Sequence, residues 1–176
     1  RMEDVSFVVD PSRPHAVDET EVSCARPVMD DGDWHLQSIR EKNLPVDDLT
    51  AFNHMAIYLR WCIEQDLMGL AFIERYWGEL EEFQSDPEHT DLRPFLRDEL
   101  CGQLSCDLFD DEGAAFARYY YGESDAPFFP SDIDDYALRY FGPARYHSNE
   151  FRQEAYLFIP FDEDYYQAMA RVMQQR

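Results

Sequence analysis

His35 and His54 are the side chains of this chain with the most versatile chemistry, because imidazole acts as an acid, a base or a metal ligand near neutral pH. Neither belongs to a His-x-x-x-His or His-Glu-x-x-His pattern, which would place two zinc ligands on one face of a helix. His54, Tyr58 and Trp61 instead follow one another at helical spacing, so their rings share one stripe of a predicted helix. Buried rings of this kind usually stabilise a core, with their polar tips hydrogen-bonded. We therefore interpret both histidines as structural, and a catalytic role is the alternative.

The other residues with catalytic or metal-binding chemistry lack the required spacing. The four cysteines form no Cys-x-x-Cys pair, which indicates buried free thiols. The sequence contains no calcium loop, P-loop, nucleophile-elbow serine or dinucleotide-binding glycine motif. It therefore predicts no catalytic residue, no bound metal and no cofactor.

Acidic residues dominate the charge of the chain. There are 37 Asp and Glu against 15 Lys and Arg, a formal net charge of −22. Such a surface repels phosphate backbones and anionic lipids, so direct binding to nucleic acid or to a membrane is not expected. A basic protein is the expected partner. Several of the acidic clusters also lie where helices are predicted to begin, at positions where carboxylates cap backbone N–H groups.

The hydrophobic pattern predicts a mainly α fold. Six helices are expected. Three have predicted ranges, which are about 50–68, 71–84 and 131–142, the last with a Ser131–Asp134 capping box. The other three begin at about Asp91, Asp110 and Asp162. Residues 30–176 are predicted to form a single compact domain with at most a few short strands. Residues 1–29 are interrupted by prolines and are expected to form an irregular arm.

The ends and the hydropathy of the chain indicate a cytoplasmic protein. No apolar run reaches the ~18 to 20 residues that cross a bilayer, and the first residues do not have the pattern of a signal peptide. Arg1 precedes a methionine that could be the initiator, which suggests that Arg1 is an added residue.

Four segments resemble a group of small bacterial cytosolic domains of unknown function. They are "DDGDWH", "HMAIYLRWCIEQDLM", "DEGAAFARYYY" and "DIDDYALRYF", which together span residues 30–142. In that group an Asp-x-x-Trp-His element precedes a His-x-x-Met/Ile-x-Leu-x-Trp helix, and an Asp-Glu-Gly-aromatic helix follows. The resemblance implies no catalytic motif. It implies a fold-defining role for the matching residues, which are Asp33, Trp34, His35, His54, Tyr58 and Trp61.

The same group is similar to the acidic immunity partners of bacterial polymorphic toxins. The resemblance and the charge together predict an immunity protein, which binds one secreted toxin domain and occludes its active site. That toxin would be basic and would act on nucleic acid or on a phosphate-bearing cofactor. Aromatic anchors within an acidic field suit such an interface. The predicted partner-binding residues are Tyr121, Asp125, Phe128, Phe129, Asp132, Asp134 and Asp135.

Two other functions stay open at the level of sequence. One is a small hydrolase that uses His35 or His54 with a nearby carboxylate, which could reverse a modification made by a toxin. The other is an adaptor whose acidity only keeps it soluble.

Overall fold

The computed structural model describes residues 28–122 and 128–176, in which nine α-helices and two short strands form most of the fold. The elements are β1 (Val28–Asp31), α1 (Gly32–Glu41), α2 (Asn53–Glu64), α3 (Leu70–Arg75), α4 (Trp77–Ser85), α5 (Leu92–Asp98), β2 (Gln103–Ser105), α6 (Asp111–Ala117), α7 (Phe128–Phe141), α8 (Pro143–Tyr146) and α9 (Glu163–Gln174). Short 3-10 turns cover Asp48–Phe52, Cys106–Leu108, Asn149–Phe151 and Ala155–Phe158, and one π-helical turn covers Arg118–Gly122.

The predicted mainly α class is confirmed, and nine helices replace the six expected for three identifiable reasons. The helix α1 is not among the predicted helices, because its ten residues include only three large apolar side chains, those of Trp34, Leu36 and Ile39. The helix expected over 71–84 is interrupted at Tyr76, whose φ and ψ of −112° and 29° separate α3 from α4. The short helix α8 begins at a proline after Gly142, which adopts a positive φ of 79°. Proline is favoured at such a helix start.

Aspartates begin three of the helices as predicted, and one expected cap is wrong. The side chains of Asp91, Asp110 and Asp162 accept hydrogen bonds from backbone N–H groups in the first turns of α5, α6 and α9. The Ser131–Asp134 capping box is not formed, because α7 already begins at Phe128. Aromatic packing of Phe129 in the core therefore outweighs the local capping signal.

The helix α2 is the centre of the core. Every residue from Asn53 to Leu59 is buried, and so are Trp61, Cys62 and Ile63. Tyr58 is fully buried, and its ring lies 4.8 Å from that of Tyr121 and 5.3 Å from that of Phe129. Aromatic pairs at these separations stabilise a fold by more than the burial of their surface alone would. This aromatic layer fixes α2 against the π-helical turn and α7.

The strands form a small antiparallel pair that places the start of α1 beside α2. Asp30 pairs with Leu104, and the Gly32 N–H donates to the Gly102 carbonyl at 2.8 Å. A Cβ atom on Gly32 would lie only 2.1 Å from the Phe52 ring. Only glycine allows α1 to approach this closely.

The predicted boundary at residue 30 falls within β1, so Val28 and Met29 belong with the helical fold. The rest of the predicted arm, residues 1–27, lies outside the described residues. Within residues 28–122 and 128–176, none of the helices combines the length and the hydropathy that crossing a membrane requires.

Candidate functional site

Asp30 and Asp31 are adjacent in β1 but have different roles. Because successive side chains of a strand point to opposite faces, Asp30 is buried, with 6 % of its surface exposed, while Asp31 lies at the edge. The carboxylate of Asp31 caps α1 by accepting from the Asp33 N–H at 2.9 Å. The Asp30 carboxylate instead faces the interior, where α1 and α2 each bring a histidine towards it.

His35 and His54 both contact the Asp30 carboxylate through Nε2. His35 Nε2 lies 2.7 Å from Asp30 Oδ1, and His54 Nε2 lies 2.8 Å from Asp30 Oδ2. The two Nε2 atoms are only 3.1 Å apart. Together the three side chains offer ligand atoms that all lie within 4.8 Å of one another, an arrangement that could hold a metal ion. Asp30, His35 and His54 are called the Asp–His–His centre below.

Two tyrosines complete the hydrogen bonding around the Asp–His–His centre. The Tyr121 hydroxyl donates to Asp30 Oδ2, and the Tyr156 hydroxyl lies 2.6 Å from His35 Nδ1. Burial, together with the nearby carboxylates of Asp30 for Tyr121 and of Glu154 for Tyr156, raises the pKa of both phenols. Both hydroxyls therefore keep their protons at neutral pH and can hold the centre in one orientation.

The electrostatics favour an ionised Asp30 and a neutral His54. Burial alone would raise the pKa of Asp30, but the positive charge that His54 carries when it is protonated and the hydrogen bonds with both imidazoles outweigh it and hold that pKa well below its usual range. Burial, followed by the charge of His35, lowers the pKa of His54 despite the opposing effect of Asp30. A neutral imidazole has a free nitrogen lone pair, which can accept a proton or bind a metal.

The centre lies at one side of a cavity of about 290 Å³. The other wall is largely apolar and aromatic, and one acidic side chain stands at the rim. The lining residues besides the centre are Met29, Tyr121, Phe129, Pro130, Ile133, Asp134 and Tyr156. A mostly apolar pocket with a few convergent polar groups is the usual form of a small-molecule site.

Residues 28–148 match the model of a protein family described as "Domain of unknown function (DUF7832)". The chain belongs to this family. The matched DUF7832 region includes the whole Asp–His–His centre and Tyr121, whereas Tyr156 follows it. No curated protein and no solved structure matches the chain.

Within the DUF7832 region, the residues predicted to be fold-defining divide into two groups. His54, Tyr58 and Trp61 are buried as expected, and His35 is half-buried. The fold-defining role of Asp33 and Trp34 stays a prediction, because both side chains are exposed, Trp34 by 54 %, and neither is part of the core. The reason is that Gly32 and Asp31 take the inner and capping positions at the start of α1, which turns the next two side chains outward.

The predicted partner-binding residues also lie in different environments. Tyr121, Phe129 and Asp132 are buried, and Asp132 accepts from Tyr120 and Arg176 at 2.5 Å each. These three side chains pack in the interior, Tyr121 and Phe129 at the wall of the cavity, so none of them is an exposed anchor, and their binding to a partner stays a prediction.

For the other four residues, binding to a partner also stays a prediction. Asp134 and Asp135 are exposed, Phe128 is half-buried, and Asp125 lies outside the described residues.

The sequence interpretation missed Asp30 and Tyr156 as site residues, and it expected no metal ligands. Asp30 lies in one of the acidic clusters, with Asp31 and Asp33, and only its place in a strand separates it from Asp31. The alternation of side chains in "VMDD" is the one local signal that could have indicated an inward Asp30. Tyr156 lies 121 positions from His35, so no spacing rule connects the two.

Proposed function

We propose that this protein is an enzyme that hydrolyses a small molecule held in the cavity beside the Asp–His–His centre. One observation supports this most: two imidazoles and one buried carboxylate from three separate elements converge at the wall of a cavity. Titratable groups that meet in a cleft with perturbed pKa values are typical of catalytic sites.

The residues can activate water by general base catalysis. In the tautomer that carries its proton on Nδ1, the neutral His54 accepts a proton at Nε2, the nitrogen that faces the centre, from a water molecule as the water oxygen bonds to the substrate. The Asp30 carboxylate, 2.8 Å from Nε2, stabilises the imidazolium that forms. The same proton then passes to the leaving group as the scissile bond breaks, so that water is the only co-reactant. Tyr156 fixes the orientation of the His35 ring through Nδ1.

The charge around the cavity favours a neutral or cationic substrate. Asp134 lies at the rim, and Asp135 and Glu154 are close enough that, after burial, their charges are the main causes of its raised pKa. No lysine or arginine lines the cavity among the described residues. A phosphate ester would therefore be repelled, whereas a neutral ester, an amide or an amine-bearing substrate would not. The volume is at the lower end for ligand sites, so the part of the substrate that enters is small.

Another cavity is a weaker candidate. It has a volume of about 180 Å³ and is lined by residues that include Arg60, Arg93 and Glu163. Arg60 donates to both oxygens of Glu163, and Arg93 pairs with Asp91. Because these charges already satisfy one another, they are less available for catalysis.

The test is hydrolysis of a panel of small neutral and amine-bearing esters and amides, with phosphate monoesters as the disfavoured class. We expect turnover by the wild-type chain and a loss of about 10² to 10⁴-fold in the His54→Gln variant, the usual contribution of a general base. The matched control is Asp33→Asn, which changes an exposed carboxylate near the site. Equal turnover by a folded His54→Gln variant would contradict the proposal.

We propose the immunity function as the second candidate, on the strength of the net charge of −22. A cytoplasmic protein with this charge would associate rapidly with a basic toxin domain, since electrostatic steering accelerates encounter. Asp134 and Asp135 are exposed and could contribute to that steering.

The test of this candidate uses a toxin domain encoded beside the gene. The association rate should fall steeply as salt rises, and the Asp134→Asn, Asp135→Asn double variant should bind more slowly. An association rate that does not change with salt would exclude electrostatic recognition.

A further inference from the structure

Hydrogen bonds do not fully explain the contacts between the two Nε2 atoms and the two oxygens of Asp30 in the Asp–His–His centre. Each Asp30 oxygen already accepts twice, Oδ1 from the Asp31 N–H and His35, and Oδ2 from Tyr121 and His54. If both imidazoles donate through Nε2–H, these two N–H groups also face each other across 3.1 Å. Two donors at that distance repel, and a neutral imidazole has only one N–H to place. If instead one imidazole donates to the other, the accepting nitrogen also turns its lone pair towards an Asp30 oxygen, so no tautomer satisfies all of these contacts.

A metal ion bound by both nitrogens accounts for that separation. Imidazole nitrogens bind zinc at about 2.0 to 2.1 Å, so two of them at an angle of about 90° to 109° lie about 2.9 to 3.4 Å apart. The observed 3.1 Å is within this range. The carboxylate contacts of 2.7 and 2.8 Å are slightly shorter, and a displacement of Asp30 by a few tenths of an ångström (~0.2 to 0.5 Å) would admit the ion.

The groups around the centre would hold the ligands in place. In a metal-bound state His35 uses Nε2 as the ligand atom and donates Nδ1–H to the Tyr156 hydroxyl, the outer contact that ligand histidines usually make. Tyr121 and the Asp31 N–H would still donate to Asp30, and hydrogen-bonded carboxylates are the usual metal ligands. His54 Nδ1 has no hydrogen-bond partner among the described residues.

We infer that Asp30, His35 and His54 bind one divalent first-row transition-metal ion, with its open coordination positions directed into the cavity. Two histidines and one carboxylate are a donor set that suits zinc, iron(II) or manganese(II) and leaves room for water or substrate. The inference deepens the proposed hydrolase and rests on it for its catalytic meaning, because a bound ion would activate the attacking water in place of His54. Metal binding itself can be measured without any substrate.

The experiment is calorimetric titration of the full chain, treated with a chelator and then dialysed, with zinc chloride and separately with manganese chloride. We expect saturable binding of about one ion per chain for at least one of the two metals. Asp30→Asn and His54→Gln should each weaken binding by at least about 10 to 100-fold, since a change in the outer contacts alone has that effect. Cobalt(II) provides a second readout, because its visible absorption reports ligation by imidazole.

The matched control is His89→Gln. His89 and Asp86 form an exposed pair at 2.8 Å, the same histidine–carboxylate chemistry without a third ligand, and its loss should leave the affinity unchanged. If the ligand variants fail to fold, Tyr156→Phe tests the same site more gently, with an expected loss of about 10-fold.

The results separate this inference from the proposed function. Absence of saturable binding, or binding that is equal in wild type and in folded ligand variants, overturns the metal site. Turnover that survives removal of metal overturns the catalytic role of the bound ion and leaves the hydrolase in place. A bound ion that depends on His54, without turnover of any substrate class, supports the metal site and counts against the hydrolase.

Discussion

Replacing Asp30 with alanine removes the acceptor that three side chains share. His54 and Tyr121 are buried and hydrogen-bond to this carboxylate, and His35, which is partly exposed, lies within hydrogen-bond distance of it as well. Leaving a buried donor unpaired costs about 1 to 3 kcal/mol. His35 can turn towards the cavity and recover a hydrogen bond with water, so the two buried donors determine most of the effect.

The expected loss in the free energy of unfolding is therefore about 3 to 5 kcal/mol for Asp30→Ala, the size seen when one member of a buried polar pair is removed. The assay is urea denaturation of metal-free protein, followed by circular dichroism. Asp33→Ala is the control, because this exposed carboxylate in the first turn of α1 contributes only about 0.3 to 1 kcal/mol through the helix dipole. Equal losses in the two variants would show that the Asp30 network does not stabilise the fold.

Three further predictions concern stability. Trp61→Ala should lower the free energy of unfolding by about 3 to 5 kcal/mol, because its ring is buried against the core. Trp34→Ala, at an exposed site, should change it by less than about 0.5 kcal/mol. Similar losses in the two variants would contradict the assigned burial. Gly113→Ala should destabilise the fold by about 1 to 3 kcal/mol, since the added Cβ would lie 2.4 Å from a backbone oxygen. Gly78→Ala has open space around it and should stabilise the fold slightly. The urea midpoints of the two variants give the sign of each effect. The folded-state pKa of His54 lies below 6.5. As the pH falls, the unfolded chain therefore takes up the proton before the folded chain does. The stabilising contribution of His54 is present above about pH 6.5 and is lost as the pH falls below that value. This contribution is the difference in unfolding free energy between wild type and His54→Gln, and a difference that does not change between about pH 8 and pH 5 would refute the assignment.

The parts of the fold that could be predicted from sequence are those set by local patterns. The burial of α2 follows from apolar residues on nearly every face of the helix. The starts of α6 and α9 follow from Asp110 and Asp162, because a carboxylate that accepts a first-turn N–H stabilises a helix terminus wherever it lies in the fold.

The centre depends instead on long-range packing. Asp30 faces inward only because β1 pairs with β2, whose residues are more than 70 positions away in the sequence. His35 reaches it because Gly32 lets α1 lie against Phe52, and Tyr156 arrives from a 3-10 turn near the end of the chain. Spacing rules describe ligands on one helix or loop, so they identified the two histidines as versatile residues but could not show that they meet.

The DUF7832 region contains all three members of the centre. The most direct test is therefore a crystal structure of the chain grown with zinc, with diffraction data collected on both sides of the zinc absorption edge. We expect an anomalous peak about 2.0 to 2.2 Å from His35 Nε2, His54 Nε2 and one Asp30 oxygen. A well-ordered centre that shows direct histidine–carboxylate hydrogen bonds, with no anomalous peak between the three side chains, would contradict the account.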